Sequence, residues 1–85
     1  MKGVRLPYRR QGMIFFTLRC YQDMAGSGRQ RIDARIRNAA GGDEAVAEAL
    51  RAWCLRGETI ESAAMEHHVS ESTLYRARKR LYEDW

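Results

Sequence analysis

The residues of this chain whose types and spacing could do chemistry cluster near its C-terminal end, in residues 59–82, TIESAAMEHHVSESTLYRARKRLY. Glu71, Ser72, Thr73, Tyr75, Arg76, Lys79 and Arg80 bring acidic, hydroxyl, phenolic and cationic groups into one short stretch. If that stretch is helical, Glu71, Ser72, Tyr75, Arg76 and Lys79 share one surface, because residues four apart stack along a helix face. Small polar and cationic side chains on an exposed helix suit phosphate oxygens and base edges. Arg76 has the forked geometry that can grip O6 and N7 of guanine, a contact worth about 1–3 kcal/mol of base discrimination. Arg78, on the inward-leaning flank, and Arg80 are placed to reach phosphates, or acids such as Glu83, rather than bases. The expected ligand is double-stranded DNA.

Such a surface needs a helix held rigidly on a second one. Leu74, Ala77 and Leu81 recur at i, i+3 and i+7 and predict a buried stripe. Ala63 and Ala64 are small enough for a second helix to cross closely over the first. Thr59 and Ser70 are well placed to cap two successive helices by accepting backbone N–H groups of their first turns. The expectation is two helices joined by a tight turn near His68. His67 stands where an apolar residue usually plugs the core. His68 stands where the backbone tends to a left-handed conformation and glycine is common. We therefore expect His67 partly buried and His68 near phosphates or solvent. The alternative is a plain helical hairpin with a solvated basic end.

Other chemistries find less support. No carboxylate pair sits in a recognisable apolar setting, and no nucleophile has a base beside it. The AGSG and AAGG stretches lack the Lys-Ser/Thr ending of a phosphate-binding loop. Cys54, His67 and His68 fall short of a four-ligand zinc set, and adjacent histidines diverge by about 100° on a helix. We expect no enzyme activity, no cofactor and no metal. The two cysteines make no disulfide framework, and the apolar run at residues 13–16 is too short for a signal peptide or membrane span. A cytoplasmic protein with reduced thiols and no membrane partner is expected.

The net charge of +4 conceals an asymmetry. Residues 1–38 hold nine Lys/Arg and two acids, a net of +7, whereas residues 39–85 hold six and nine, a net of −3. Within the acidic half, four of the five residues 76–80 are cationic. Positive charge concentrates in the N-terminal segment and on the candidate DNA-contacting helix, as in nucleic-acid binders; a solvated basic surface is the bland alternative.

The chain divides into a basic arm with short helices at residues 1–40 and a helix-turn-helix region at residues 41–85. Residues 1–10 read as an extended arm whose Lys2, Arg5, Arg9 and Arg10 could contact phosphates or an acidic surface. Residues 11–24 read as a helix with Met13, Phe16, Cys20 and Met24 on one face and Ile14, Leu18 and Tyr21 beside it. Phe15, Phe16 and Tyr21 are expected in the core. AGSG at residues 25–28 reads as a flexible turn. Residues 29–38 form a helix with Ile32 and Ile36 inward and a helical ion pair between Asp33 and Arg37. Gly41 and Gly42 end it. Asp43 caps a helix over residues 45–56 whose Val46, Leu50, Trp53 and Cys54 face inward. Trp53 is expected to anchor the core, and Gly57 to close the last turn.

Gly57-Glu-Thr-Ile, Ala63-Ala64, Val69-Ser70, Thr73-Leu74-Tyr75-Arg76 and Leu81-Tyr82 resemble the helix-turn-helix of sigma-70 region 4 and its phage relatives. With Arg31-Ile32-Asp33-Ala34 before it and Leu-Tyr-Glu-Asp-Trp after it, the span 29–85 is similar to the C-terminal part of phage antitermination proteins of the Q type. The helical periodicities predict an all-α protein of four or five short helices with a C-terminal helix-turn-helix. The resemblance implies a small transcription regulator of phage or prophage origin that binds DNA near a late promoter and then joins RNA polymerase. Its base-contacting residues would be Glu71, Ser72, Tyr75 and Arg76. Two alternatives stand beside it: a dimeric helix-turn-helix repressor, and a polymerase-docking module that reads no bases. The oligomeric state stays open.

Overall fold

The structure, a computed structural model, describes residues 4–85; Lys2 lies outside the described residues. Five helices follow in order: α1 (Tyr8–Arg19), α2 (Gly26–Ala39), α3 (Glu44–Cys54), α4 (Ile60–Glu66) and α5 (Glu71–Glu83), with a 3-10 turn at Tyr21–Asp23. The protein is all-α, as its periodicities led us to expect. None of the described helices is long and apolar enough to cross a membrane.

Helix α3 is the hub, and α1, α2, α4 and α5 all pack on it. Its boundaries follow from local chemistry. The Asp43 carboxylate accepts the N–H groups of Ala45 and Val46, satisfying two donors that a helix start leaves free. At the other end Gly57 adopts φ 78°. That left-handed backbone is what requires glycine there; the Arg19 guanidinium resting beside it is the movable end of a long side chain. Between these ends Val46, Leu50 and Cys54 point inward as expected. Ala47, Ala49 and Ala52 are buried too, so α3 is enclosed around most of its circumference by short side chains.

One core joins Ile14 and Leu18 of α1, Ile32 and Ile36 of α2, Leu50 of α3, Ile60 of α4, and Leu74, Leu81 and Tyr82 of α5. The radius of gyration is 11.9 Å, as expected for one domain of this length, about 12 Å. Helix α2 packs directly on α5, so the residues before and after residue 40 share one interior.

The N-terminal third departs most from expectation. Residues 8–10 belong to α1, and Val4 and Leu6 rest on the core, so the arm is not extended throughout. Helix α1 ends at Arg19 rather than Met24 and buries Gln11, Ile14 and Leu18. That rotation leaves Met13 and Phe16 59% and 70% exposed, and Phe15 partly so. Gln11 is the reason the true face is hard to read: a polar residue takes an inward position, where its Nε2 donates to the Leu6 carbonyl at 2.6 Å. AGSG is not a loose turn, because Gly26–Gly28 form the first turn of α2. Asp33 makes no ion pair with Arg37. It accepts the Tyr21 hydroxyl at 3.1 Å and faces Arg51 at 3.9 Å, tying the 3-10 turn and α3 to α2. Trp53 is only half-buried; Tyr82, Ile14, Leu18, Ile36, Leu50, Leu74 and Leu81 are the largest fully enclosed side chains among the described residues.

Tyr82 is the costly member of that core. Its side chain is 1% exposed and its hydroxyl has no hydrogen-bond partner among the described residues. Burial, with the Cys54 thiol close by, pushes its phenol up to about 12 from an ordinary 10.0. Burial likewise raises the Cys54 thiol from 9.0 to about 12. Both groups are neutral in either state below pH 9, and between their ordinary and raised values only the unfolded chain releases the protons. Stability is therefore fully present below about pH 9 and falls as pH rises toward 12. Replacing Tyr82 by Phe removes the unsatisfied hydroxyl. Tyr82→Phe should raise the unfolding free energy at neutral pH by about 1 kcal/mol, and flatten the part of the alkaline loss that begins near pH 10. Urea titrations across the pH range measure both; a loss of stability at neutral pH would mean that the hydroxyl has a partner.

Candidate nucleic-acid interface

The C-terminal pair of helices is built as the side-chain sizes suggested. The Thr59 hydroxyl accepts the Ser62 N–H at 3.1 Å and starts α4. The Ser70 hydroxyl accepts the Thr73 N–H at 3.1 Å and starts α5. Between the helices the chain reverses at His68, the one described non-glycine residue with positive φ, 57°. The His68 N–H bonds to the Met65 carbonyl at 3.3 Å, and the Val69 N–H reaches back to the Ala64 carbonyl at 3.0 Å. This paired closure satisfies the last carbonyls of α4 and requires a left-handed residue at its centre. Helix α2 ends on the same pattern, with Gly41 bonded to Asn38 and Gly42 to Arg37. There the central residue is Gly41, φ 65°. In α4 the same role falls to a histidine.

Ala63 and Ala64 of α4 and Ala77 of α5 are fully or nearly fully buried, as are Leu74 and Leu81. With methyl groups at the crossing, α5 lies close over α4 and buries the predicted stripe. His67 is half-buried, its Nε2 enclosed without a hydrogen-bond partner, and His68 is exposed, as expected.

The outward face of α5 presents Ser72, Tyr75, Arg76 and, half-buried, Lys79, with Glu71 exposed at its start. Tyr75 is 40% exposed. Its hydroxyl donates to Glu61 of α4 at 3.3 Å, a contact across the turn that no sequence periodicity signals. Thr73 is drawn into the cap: its hydroxyl accepts from Ser70 at 2.7 Å, and the Arg76 Nη2 reaches it at 3.4 Å. Among the described residues Arg76 and Lys79 have no acidic partner within ion-pair distance.

The last two arginines go elsewhere. The Arg80 Nε donates to the Ala39 carbonyl at 2.8 Å, tying α5 to the C-terminal end of α2. That contact favours a cation at the negative end of the α2 dipole, and it draws Arg80 away from the Arg76–Lys79 face. Arg78 reaches neither a phosphate-facing position nor Glu83. Its guanidinium lies 4.8 Å from the Tyr75 ring and 5.5 Å from the Trp53 ring. Burial lowers its pKa, and its Nε has no partner. Of the seven residues singled out from sequence, Glu71, Ser72, Tyr75, Arg76 and Lys79 lie on the outward side of α5, whereas Thr73 turns into the cap and Arg80 toward α2. The sequence reading missed Glu61 and Arg78 as the groups that hold Tyr75.

Comparisons with protein-family profiles, curated proteins and solved structures give no match.

The turn supplies a direct test of its own geometry. A left-handed conformation costs a non-glycine residue about 1–2 kcal/mol, offset in part by the greater unfolded-state freedom of glycine. His68→Gly should therefore raise the unfolding free energy by about 0.5–1 kcal/mol. Gly41→Ala should lower it by about as much. Paired chemical denaturation curves measure both, and a destabilised His68→Gly variant would refute the left-handed turn.

Proposed function

We propose that this protein is a sequence-specific DNA-binding transcription regulator that lays α5 in the major groove. The observation that carries this reading is the outward face of α5: Ser72, Tyr75, Arg76 and Lys79 stand together, and neither cation is neutralised by an acid. A helix of this length spans about 20 Å and enters a groove about 12 Å wide. Arg76, exposed near the centre of α5, is the residue for base readout. Lys79, one turn on, suits a phosphate. Glu71 and Ser72, at the N-terminal end, are available to base edges that donate, such as the cytosine amino group.

The resemblance to Q-type antitermination proteins supports the finer reading: a phage or prophage late-gene antitermination factor that binds near a promoter and joins RNA polymerase. The basic surface of the N-terminal half is the natural polymerase or nucleic-acid contact.

The experiment begins with selection of bound sequences from random duplex DNA, with and without polymerase. On the selected site, Arg76→Ala should weaken binding by about 1–3 kcal/mol, or some five- to 150-fold, and blur the preference for one base position. Lys79→Ala should weaken selected and scrambled DNA alike and reduce the salt slope by about one. Equal losses on both DNAs for both variants would overturn the division of labour. No duplex binding even at low salt would leave a polymerase-docking module without base readout. A stable dimer on a palindromic site, bound without polymerase, would point to a repressor.

A further inference from the structure

Four of the six large apolar side chains exposed on the described surface belong to α1: Tyr8 at 84%, Phe16 at 70%, Met13 at 59% and Phe15 at 42%. The same helix carries Arg9, Arg10 and Arg19, all exposed, and no acidic residue. Such a face needs an occupant, since an apolar patch left to water raises the free energy of the folded protein. Charge decides which occupant. A second copy of this chain would bring two all-cationic helices face to face, six arginines with no acid between them. A polyanion with flat apolar faces answers both halves of the surface at once.

We infer that the outer face of α1 binds a single strand of nucleic acid, with bases stacked on Phe16 and Tyr8 and the backbone phosphates drawn to Arg9 and Arg19. Gly12 lies between the two rings, one turn from each, and a β-carbon there would meet nothing within 4 Å. The floor between the rings is therefore bare backbone, open to a flat ligand. The surface also runs on toward α5. Phe15 tilts against Trp53 with ring centres 6.3 Å apart. Trp53 carries the Arg78 guanidinium, which in turn covers Tyr75. Aromatic rings alternating with cations are how proteins hold single strands without reading sequence, since every base has a π-face and every linkage a charge. The inference goes beyond duplex reading by α5 and does not rest on it.

The test uses the full chain and a labelled single-stranded oligothymidylate of about fifteen nucleotides, near the upper site size of one small binding domain. Anisotropy at low salt should show binding that weakens as salt is added. Phe16→Ala and Tyr8→Ala should each weaken it at least about fivefold, the low end of what one stacked base contributes. Phe16→Tyr should retain it. Both aromatic side chains face solvent, so the melting temperature should hold across the series. No binding of the oligonucleotide by the native chain would overturn the inference, as would full affinity in Phe16→Ala. Loss of a dimer in sedimentation by Phe16→Ala, with oligonucleotide affinity intact, would also overturn it and make the face a self-interface. Because Arg76→Ala and Phe16→Ala are read on duplex and single-stranded probes separately, either surface can fail without the other.

Discussion

The close crossing of α4 and α5 is the constraint on which the rest of the surface depends. Helix axes approach to within 8–10 Å only as far as the side chains between them allow. Ala63, Ala64 and Ala77 supply that allowance, and Leu74 and Leu81 fill the space beside them. Once α5 is pressed onto α4 it also meets α2 and α3, so three helices cover one side of it. Leu74, Ala77, Leu81 and Tyr82 are consumed by that contact, and Arg76 and Lys79 have no direction left but outward. The cationic face is a consequence of how the apolar face is used.

The turn at His68 makes the crossing possible at the cost of backbone strain. The same hydrogen-bond pattern ends α2 on Gly41, without that strain. In α4 the N–H of Val69 reaches the Ala64 carbonyl while its side chain rests on the core, so packing after the turn holds the histidine in place. A local preference has been overruled by apolar burial on both sides of it.

Electrostatics then sort the cations by what each can reach. Arg51 sits between Asp33 and Glu48, and Arg56 lies near Glu58. Arg35 donates to the Trp85 carbonyl and lies 4.8 Å from that indole, pinning the C-terminal end to α2. Arg80 goes to the end of α2, and Arg78 is held between aromatic rings. Asp43 is occupied as a cap, and Glu83 accepts the Arg5 N–H. Among the described residues Arg9, Arg10, Arg19, Arg31, Arg37 and Arg76 stay exposed without an acidic partner, and those of α1 and α5 stand near exposed aromatic rings.

Where local chemistry decides structure, the chain was legible as a string of residues. Asp43, Thr59 and Ser70 mark helix starts because a short polar side chain satisfies orphan N–H groups wherever it stands. Gly41, Gly42 and Gly57 mark ends because only glycine enters the left-handed region without cost. The stripe Leu74–Ala77–Leu81 and the small pair Ala63–Ala64 fixed the helix-turn-helix and the outward side of α5. Other assignments waited for the tertiary structure, since they depend on partners distant in sequence. The rotation of α1 turned on Gln11 finding the Leu6 carbonyl, which freed Phe16 to face water against its hydropathy. Asp33 chose Tyr21 and Arg51 over Arg37, and Arg80 chose the end of α2 over the Arg76–Lys79 side. A helix period tells which residues share a face; which face lies inward, and which cation stays free, is settled only by what the neighbouring helices bring to it.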